Sequence, residues 1–143
     1  MVHARLLFLG FAFFLTLTPF ALAQDKDQKF ATQKKYGLIA NTELIDRVQR
    51  TPDQVQKLFK DSGLNITPHN LTKIERGKLE NALAGLPPFH KRVLKDRLRS
   101  ISFVNGMPNS ALTSTINYDD PYRLCDITIR AAVLKEDVSQ WLT

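Results

Sequence analysis

The alternation of apolar and polar positions is clearest late in the chain. Over residues 125–133, Cys125, Ile127, Ile129, Ala131 and Val133 fall on one face, while Asp126, Thr128, Arg130 and Ala132 fall on the other. That period of two is expected of a half-buried strand. Ile101 and Phe103 alternate with Ser102 and Val104 in the same way, and Asn105-Gly106 then marks a turn. Residues 107–124 carry Pro108, Asn109, Asn117, Asp119, Asp120 and Pro121. They read as a long loop, or as a loop holding one short strand at 114–117. From Lys135 the pattern turns helical again, with Val138, Trp141 and Leu142 on one side.

Before residue 100 the period is helical. Leu44, Ile45 and Val48 form the apolar side of a short helix that Thr42 is placed to cap. Thr51-Pro52-Asp53-Gln54 combines an N-cap residue, a proline at the first helical position and a capping-box partner, and Val55, Leu58 and Phe59 follow at helical spacing to Gly63. Thr72-Lys73-Ile74-Glu75 offers a second capping box, opening a helix lined by Leu71, Ile74, Leu79, Ala82, Leu83 and Leu86, with Gly85 as its stop. Pro87 and Pro88 sit in the first turn of the next helix. Its inward side is predicted to be Phe89, Val93, Leu94 and Leu98, and His90, Lys91, Arg92, Lys95, Arg97 and Arg99 fall elsewhere.

These patterns predict an α+β chain with about four helices followed by a small two- or three-stranded sheet. The expected organisation is a signal peptide over 1–23, a flexible leader over 24–41 and a single domain or partial domain over 42–143. The signal peptide rests on His3 and Arg5 as a short basic lead, the apolar block 6–17, and Ala21-Leu22-Ala23 before Gln24. That block is too short for a transmembrane helix, which needs ~20 apolar residues. The chain is therefore expected to be exported, periplasmic or secreted, with no membrane span after cleavage.

Charge changes this picture little. The 20 Lys and Arg against 14 Asp and Glu give +6, and Arg5 leaves with the leader. A surplus of that size favours anionic surfaces without defining a fold. The basic helix 88–99 reads either as a site for phosphate, lipid headgroups or an acidic partner, or as the solvated side of an amphipathic helix. Asp96 interrupts it and no aromatic residues interleave for base stacking, so nucleic acid is not an expected partner. Cys125 is the single cysteine. In an oxidising compartment it implies either a partner thiol elsewhere or a buried side chain on the inner face of its strand. Asn65-Ile66-Thr67 and Asn70-Leu71-Thr72 are glycosylation sequons if the secretory pathway is eukaryotic.

Catalytic chemistry is not visible in the residues. His3, His69 and His90 are scattered, and none has a second histidine four positions on, as zinc-binding helices do. There is no glycine-rich phosphate loop, no Gly-x-Ser-x-Gly elbow and no Cys-x-x-Cys pair. Asp119 and Asp120 are adjacent in a proline-flanked turn, where turn formation explains them. No catalytic, cofactor-binding or metal-binding residue is assigned.

A resemblance enters over about the last 60 residues. Leu86-Pro87-Pro88-Phe89-His90, Ile101-Ser102-Phe103-Val104, Asn109-Ser110-Ala111-Leu112-Thr113, Asp126-Ile127-Thr128-Ile129-Arg130 and Val138-Ser139-Gln140-Trp141-Leu142-Thr143 follow one another as in the region before the catalytic helix of exported bacterial zincin-type metallopeptidase-like proteins. The resemblance is one of texture and order. It implies a small sheet whose edge receives an extended peptide by strand addition. The zinc-binding H-E-x-x-H helix that would follow does not occur before Thr143, so zinc is implied only for a complete homologue. The expectation is a pre-catalytic, truncated and inactive chain. The competing expectation is a small basic periplasmic binding or adaptor protein that grips an acidic partner through residues 88–99.

Overall fold

The computed structural model describes residues 18–39 and 41–135. The fold is α+β, as predicted. Among the described residues four α-helices lie in chain order, α1 (Thr18–Lys35), α2 (Asp53–Asp61), α3 (Lys73–Gly85) and α4 (Pro88–Arg97), with a 3₁₀ turn at Leu44–Arg47. The strands are β1 (Thr67–Pro68), β2 (Leu98–Asn105), β3 (Ala111–Thr115) and β4 (Cys125–Arg130), and a second 3₁₀ turn covers Ala131–Leu134. They form one mixed sheet in the order β1-β2-β4-β3. β2 and β4 are parallel, whereas β1 and β3 run antiparallel to their neighbours. β4 therefore inserts between β2 and β3, and β3 becomes the margin.

Both faces of the central strands are covered. Leu98, Ile101 and Phe103 meet Leu44 of the first 3₁₀ turn and Leu79 of α3, with Leu94, Cys125, Ile127 and Ile129 packed around them. On the opposite face, Val104 joins Val55 and Phe59 of α2 with Met107, Ile66 and Leu112. A third cluster of Leu38, Tyr122 and Leu124 lies apart from these. Apolar burial on this scale is the main favourable term in folding.

Several expectations need correction. Residues 24–41, expected to be a flexible leader, are helical through Lys35. Lys29 pairs with Asp96 at 2.7 Å, the Thr32 hydroxyl donates to Asp120 at 2.8 Å, and the Gln33 amide donates to the Asp96 carbonyl at 3.1 Å. The packed unit thus begins before residue 42, since buried Leu38 contributes to the third cluster. The first 17 residues lie outside the described residues, and α1 runs through the expected cleavage point after Ala23.

Cap positions also shift. The segment expected to be a short helix capped by Thr42 is a 3₁₀ turn with Glu43 at its N-cap. α2 starts after Pro52, because the Thr51 side chain is buried and reaches the Phe103 carbonyl at 3.5 Å. The Thr72–Glu75 capping box forms as predicted, and Pro88 opens α4 as predicted. The inward side of α4 does not. Phe89 and Val93 are 61% and 42% exposed, because only Leu94 and the strand residue Leu98 turn toward the core. Ile74 on α3 is likewise exposed, and Glu75 is buried instead.

The sheet has one strand more than expected, since Thr67 pairs with Asn105 and Pro68 with Val104. The loop strand lies at Ala111–Thr115 and not at 114–117. The strand predicted over 125–133 stops at Arg130, where Ala131-Ala132 lacks β-branched side chains and turns into the 3₁₀ segment. Val138, Trp141 and Leu142 lie outside the described residues.

Candidate functional site

The face of β4 expected to meet water is sealed. Asp126 and Thr128 are 4% and 1% exposed, less than the isoleucines on the other face. Their partners come from β2. A register shift between Leu98 and Ser100 marks a bulge at Arg99. Arg99 donates from Nε to Asp126 Oδ1 at 3.0 Å and from its terminal nitrogen to Oδ2. Ser100 Oγ donates to the same carboxylate at 2.6 Å, and Ser102 and Thr128 share a hydroxyl bond of 3.0 Å. Pairing a buried carboxylate with a bidentate guanidinium offsets the cost of removing it from water. This ladder fixes the register of β2 against β4, since a slip by one residue would strand every one of these groups.

β3 lies beside that ladder with its far side open. The Arg130 N–H donates to the Ser110 carbonyl at 2.9 Å, and the Ile116 N–H donates to the Leu124 carbonyl at 3.0 Å. Residues 110 and 116 are therefore in hydrogen-bonded pairs, and in an antiparallel ladder such pairs recur at every second residue. Leu112 and Ser114 turn their backbone groups toward β4. Ala111, Thr113 and Thr115 turn theirs outward, where the sheet has no further strand among the described residues. Ala111 and Thr113 are exposed, so among the described residues no helix overhangs this margin on the face they occupy. Beyond the C-terminal end of β3, a cleft of about 520 Å³ is bordered by Tyr36, Ile116, Tyr118, Asp119 and Asp120.

The basic helix is largely committed to the fold. Lys95 pairs with Glu43 at 2.8 Å, Lys91 donates to the Ala84 carbonyl at 2.7 Å, and Arg92 lies over the Phe89 ring. Arg97 stacks 3.8 Å from the Tyr122 ring centroid and donates to the Arg123 carbonyl, and Arg99 serves Asp126. Of the cations over 88–99, Lys91, Lys95, Arg97 and Arg99 thus have hydrogen-bonding partners within the fold, while His90 and Arg92 are exposed.

Histidines and the cysteine are equally dispersed. His69 Nε2 lies 3.0 Å from Glu75 Oε2, while His90 is exposed and meets Phe89 edge-on. Cys125 is half-buried against the main core with its thiol 3.7 Å from the Arg97 carbonyl. Burial pushes that thiol's pKa up, and neighbouring Asp126 adds to the shift. Among the described residues no group of three His, Cys, Asp or Glu could hold a metal ion, and no helix is long and apolar enough to cross a membrane. Asn65 and Asn70 of the two sequons are both exposed.

The alternation of 125–130 was legible in the sequence. The ladder was missed because its partners, Ser100 and Ser102, lie 26 residues away from Asp126 and Thr128. The signal that pointed to it was the matching of polar residues on one face of both strands. Comparison of the chain with protein-family models, with curated proteins and with solved structures found no match.

Proposed function

We propose that this chain carries the peptide-receiving sheet of an exported metallopeptidase-like protein of the zincin type. The observation that supports this reading is the open β3 margin, where Ala111, Thr113 and Thr115 present outward N–H and C=O groups on a register-locked sheet. Three of the five segments that carry the resemblance reach the sheet, with 101–104 in β2, 111–113 in β3 and 126–130 in β4, while 86–90 leads into α4 and 138–143 lies outside the described residues. An extended peptide added antiparallel to β3 would place its N-terminal part near the cleft of Tyr118 and Asp119. No catalytic or zinc-binding residue is assigned to this chain.

The test is a titration of the ¹⁵N-labelled chain with a capped, threonine- and valine-rich hexapeptide. The expected result is saturable shifts and slowed amide exchange at Ala111, Thr113 and Thr115, with Leu112 and Ser114 already protected. Shifts confined to α4, or none at β3, would overturn the reading. Calorimetry with zinc is expected to show no stoichiometric, high-affinity binding, since no group of three His, Cys, Asp or Glu among the described residues could hold the ion, and a tight one-to-one isotherm would overturn that expectation.

A further inference from the structure

We infer that β3 is also a self-association edge: two copies pair antiparallel through Ala111–Thr115 about a two-fold axis at Thr113, joining two four-stranded sheets into one. The inference rests on the geometry of β3 and not on the peptidase reading, although both concern the same margin.

Three observations carry it. First, an antiparallel edge is self-complementary. With Thr113 opposite Thr113 of the second copy, Ala111 faces Thr115 at both ends. Every outward N–H and C=O of these three residues then meets a partner, about six hydrogen bonds in all. Second, β3 carries none of the features that keep edge strands apart. Ala111, Leu112, Thr113, Ser114 and Thr115 include no lysine, no proline and no charge, and β3 pairs with β4 in unbroken register. Third, charge selects this window. The chain as a whole carries +6, so most surfaces brought face to face with themselves would repel, whereas the five residues of β3 are neutral. Threonines opposite one another are favourable cross-strand neighbours.

Room for the second copy is also present. Ala111 and Thr113 are exposed, so a strand at the usual spacing of about 4.8 Å meets no overhanging helix among the described residues on that face. A five-residue edge alone buries less than the roughly 1,600 Å² of a standard interface, so the dimer is weak and concentration-dependent.

The experiment is sedimentation equilibrium of the full chain from about 10 µM to about 1 mM, the range in which weak dimers form, with Thr113→Lys and Thr113→Glu beside it. Residue 113 is exposed, so both variants are expected to fold, as far-UV circular dichroism will check. The wild-type chain should pass from monomer to dimer across that range. Each variant alone should remain monomeric at every concentration, because it sets like charges opposite each other at the axis, and an equimolar mixture should recover dimer at least tenfold more readily than either component. A wild-type chain that stays monomeric overturns the inference, even where peptide still binds at Ala111 and Thr115. Dimerisation of either variant alone, or a mixture no different from its components, overturns it equally.

Discussion

Replacing Glu75 by Gln should remove a specific part of the chain's resistance to acid. Glu75 Oε2 accepts from the Thr72 N–H at 2.9 Å and the Thr72 hydroxyl at 3.0 Å, and His69 Nε2 lies 3.0 Å away. These contacts, the Thr72 backbone bond foremost and the His69 contact next, hold its carboxyl at about 2 against an ordinary 4.5. Because folding depresses this pKa, the contribution is complete above about pH 4.5 and is lost as the pH falls toward about 2. At 1.36 kcal/mol per unit that shift sets a ceiling of about 3 kcal/mol. Hydration of the first helical turn brings the realised value to about 1–2 kcal/mol, in line with measured helix caps.

Urea unfolding of the wild type and Glu75→Gln, followed by circular dichroism between pH 2 and pH 7, isolates the effect. All other carboxylates titrate in both proteins and cancel in the difference. At pH 7 the variant should be less stable by about 1–2 kcal/mol. The gap should close as the pH falls below 4 and be absent near pH 2. A gap that stays constant across this range would refute the assignment of the acid sensitivity to Glu75.

Other substitutions probe the rest of the frame. Asp126→Ala leaves Arg99 and Ser100 without their carboxylate and should cost about 2–4 kcal/mol in the same unfolding assay. Gly106→Ala should cost about 1–3 kcal/mol, because φ is 81° there and a Cβ would lie 2.6 Å from the Asn65 carbonyl oxygen. Arg47 is buried and donates to the carbonyls of Leu94, Lys95 and Leu98 with one nitrogen and to those of Ile39 and Thr42 with another. Arg47→Lys should therefore lose about 2–4 kcal/mol by thermal or chemical unfolding, since one ammonium group cannot span both sets of carbonyls. Val93→Ser should change stability by less than about 0.5 kcal/mol, which follows from its exposure and contradicts the inward placement its spacing suggests.

What could be read from the chain, and what could not, divides by the range of the interactions. Local chemistry was legible: the Thr72–Glu75 box, Pro88 at the start of α4 and the alternation in β2 and β4 are all set within a few residues. α1 was not legible, because Gln, Lys and Asp give it no apolar stripe and its anchors are Asp96 and Asp120, 67 and 88 positions on from Lys29 and Thr32. Arg47 looks like one more surface cation, since the carbonyls it meets belong to α4, to Leu98 of β2 and to Ile39 and Thr42. The position of β3 was hidden for a topological reason. Neighbouring strands in sequence commonly pair, yet β4 takes the place beside β2 and leaves β3 outermost.

That topology joins the two features of the sheet that matter for recognition. A margin that receives a second strand must hold its outward groups in place before the partner arrives, since disorder there is a cost of binding. β3 has few apolar contacts of its own, with only Leu112 reaching the α2 cluster. Its placement is inherited from β4, and β4 is fixed by the Asp126–Arg99–Ser100 and Thr128–Ser102 contacts with β2. A polar ladder suits that task better than further leucines, because hydrogen-bonded pairs admit one register where apolar faces tolerate several. Asp126→Ala should therefore loosen β3 as well as lower stability. Amide exchange at Leu112 and Ser114 should quicken more than the global loss of stability accounts for, and exchange that tracks global unfolding alone would separate the ladder from the margin.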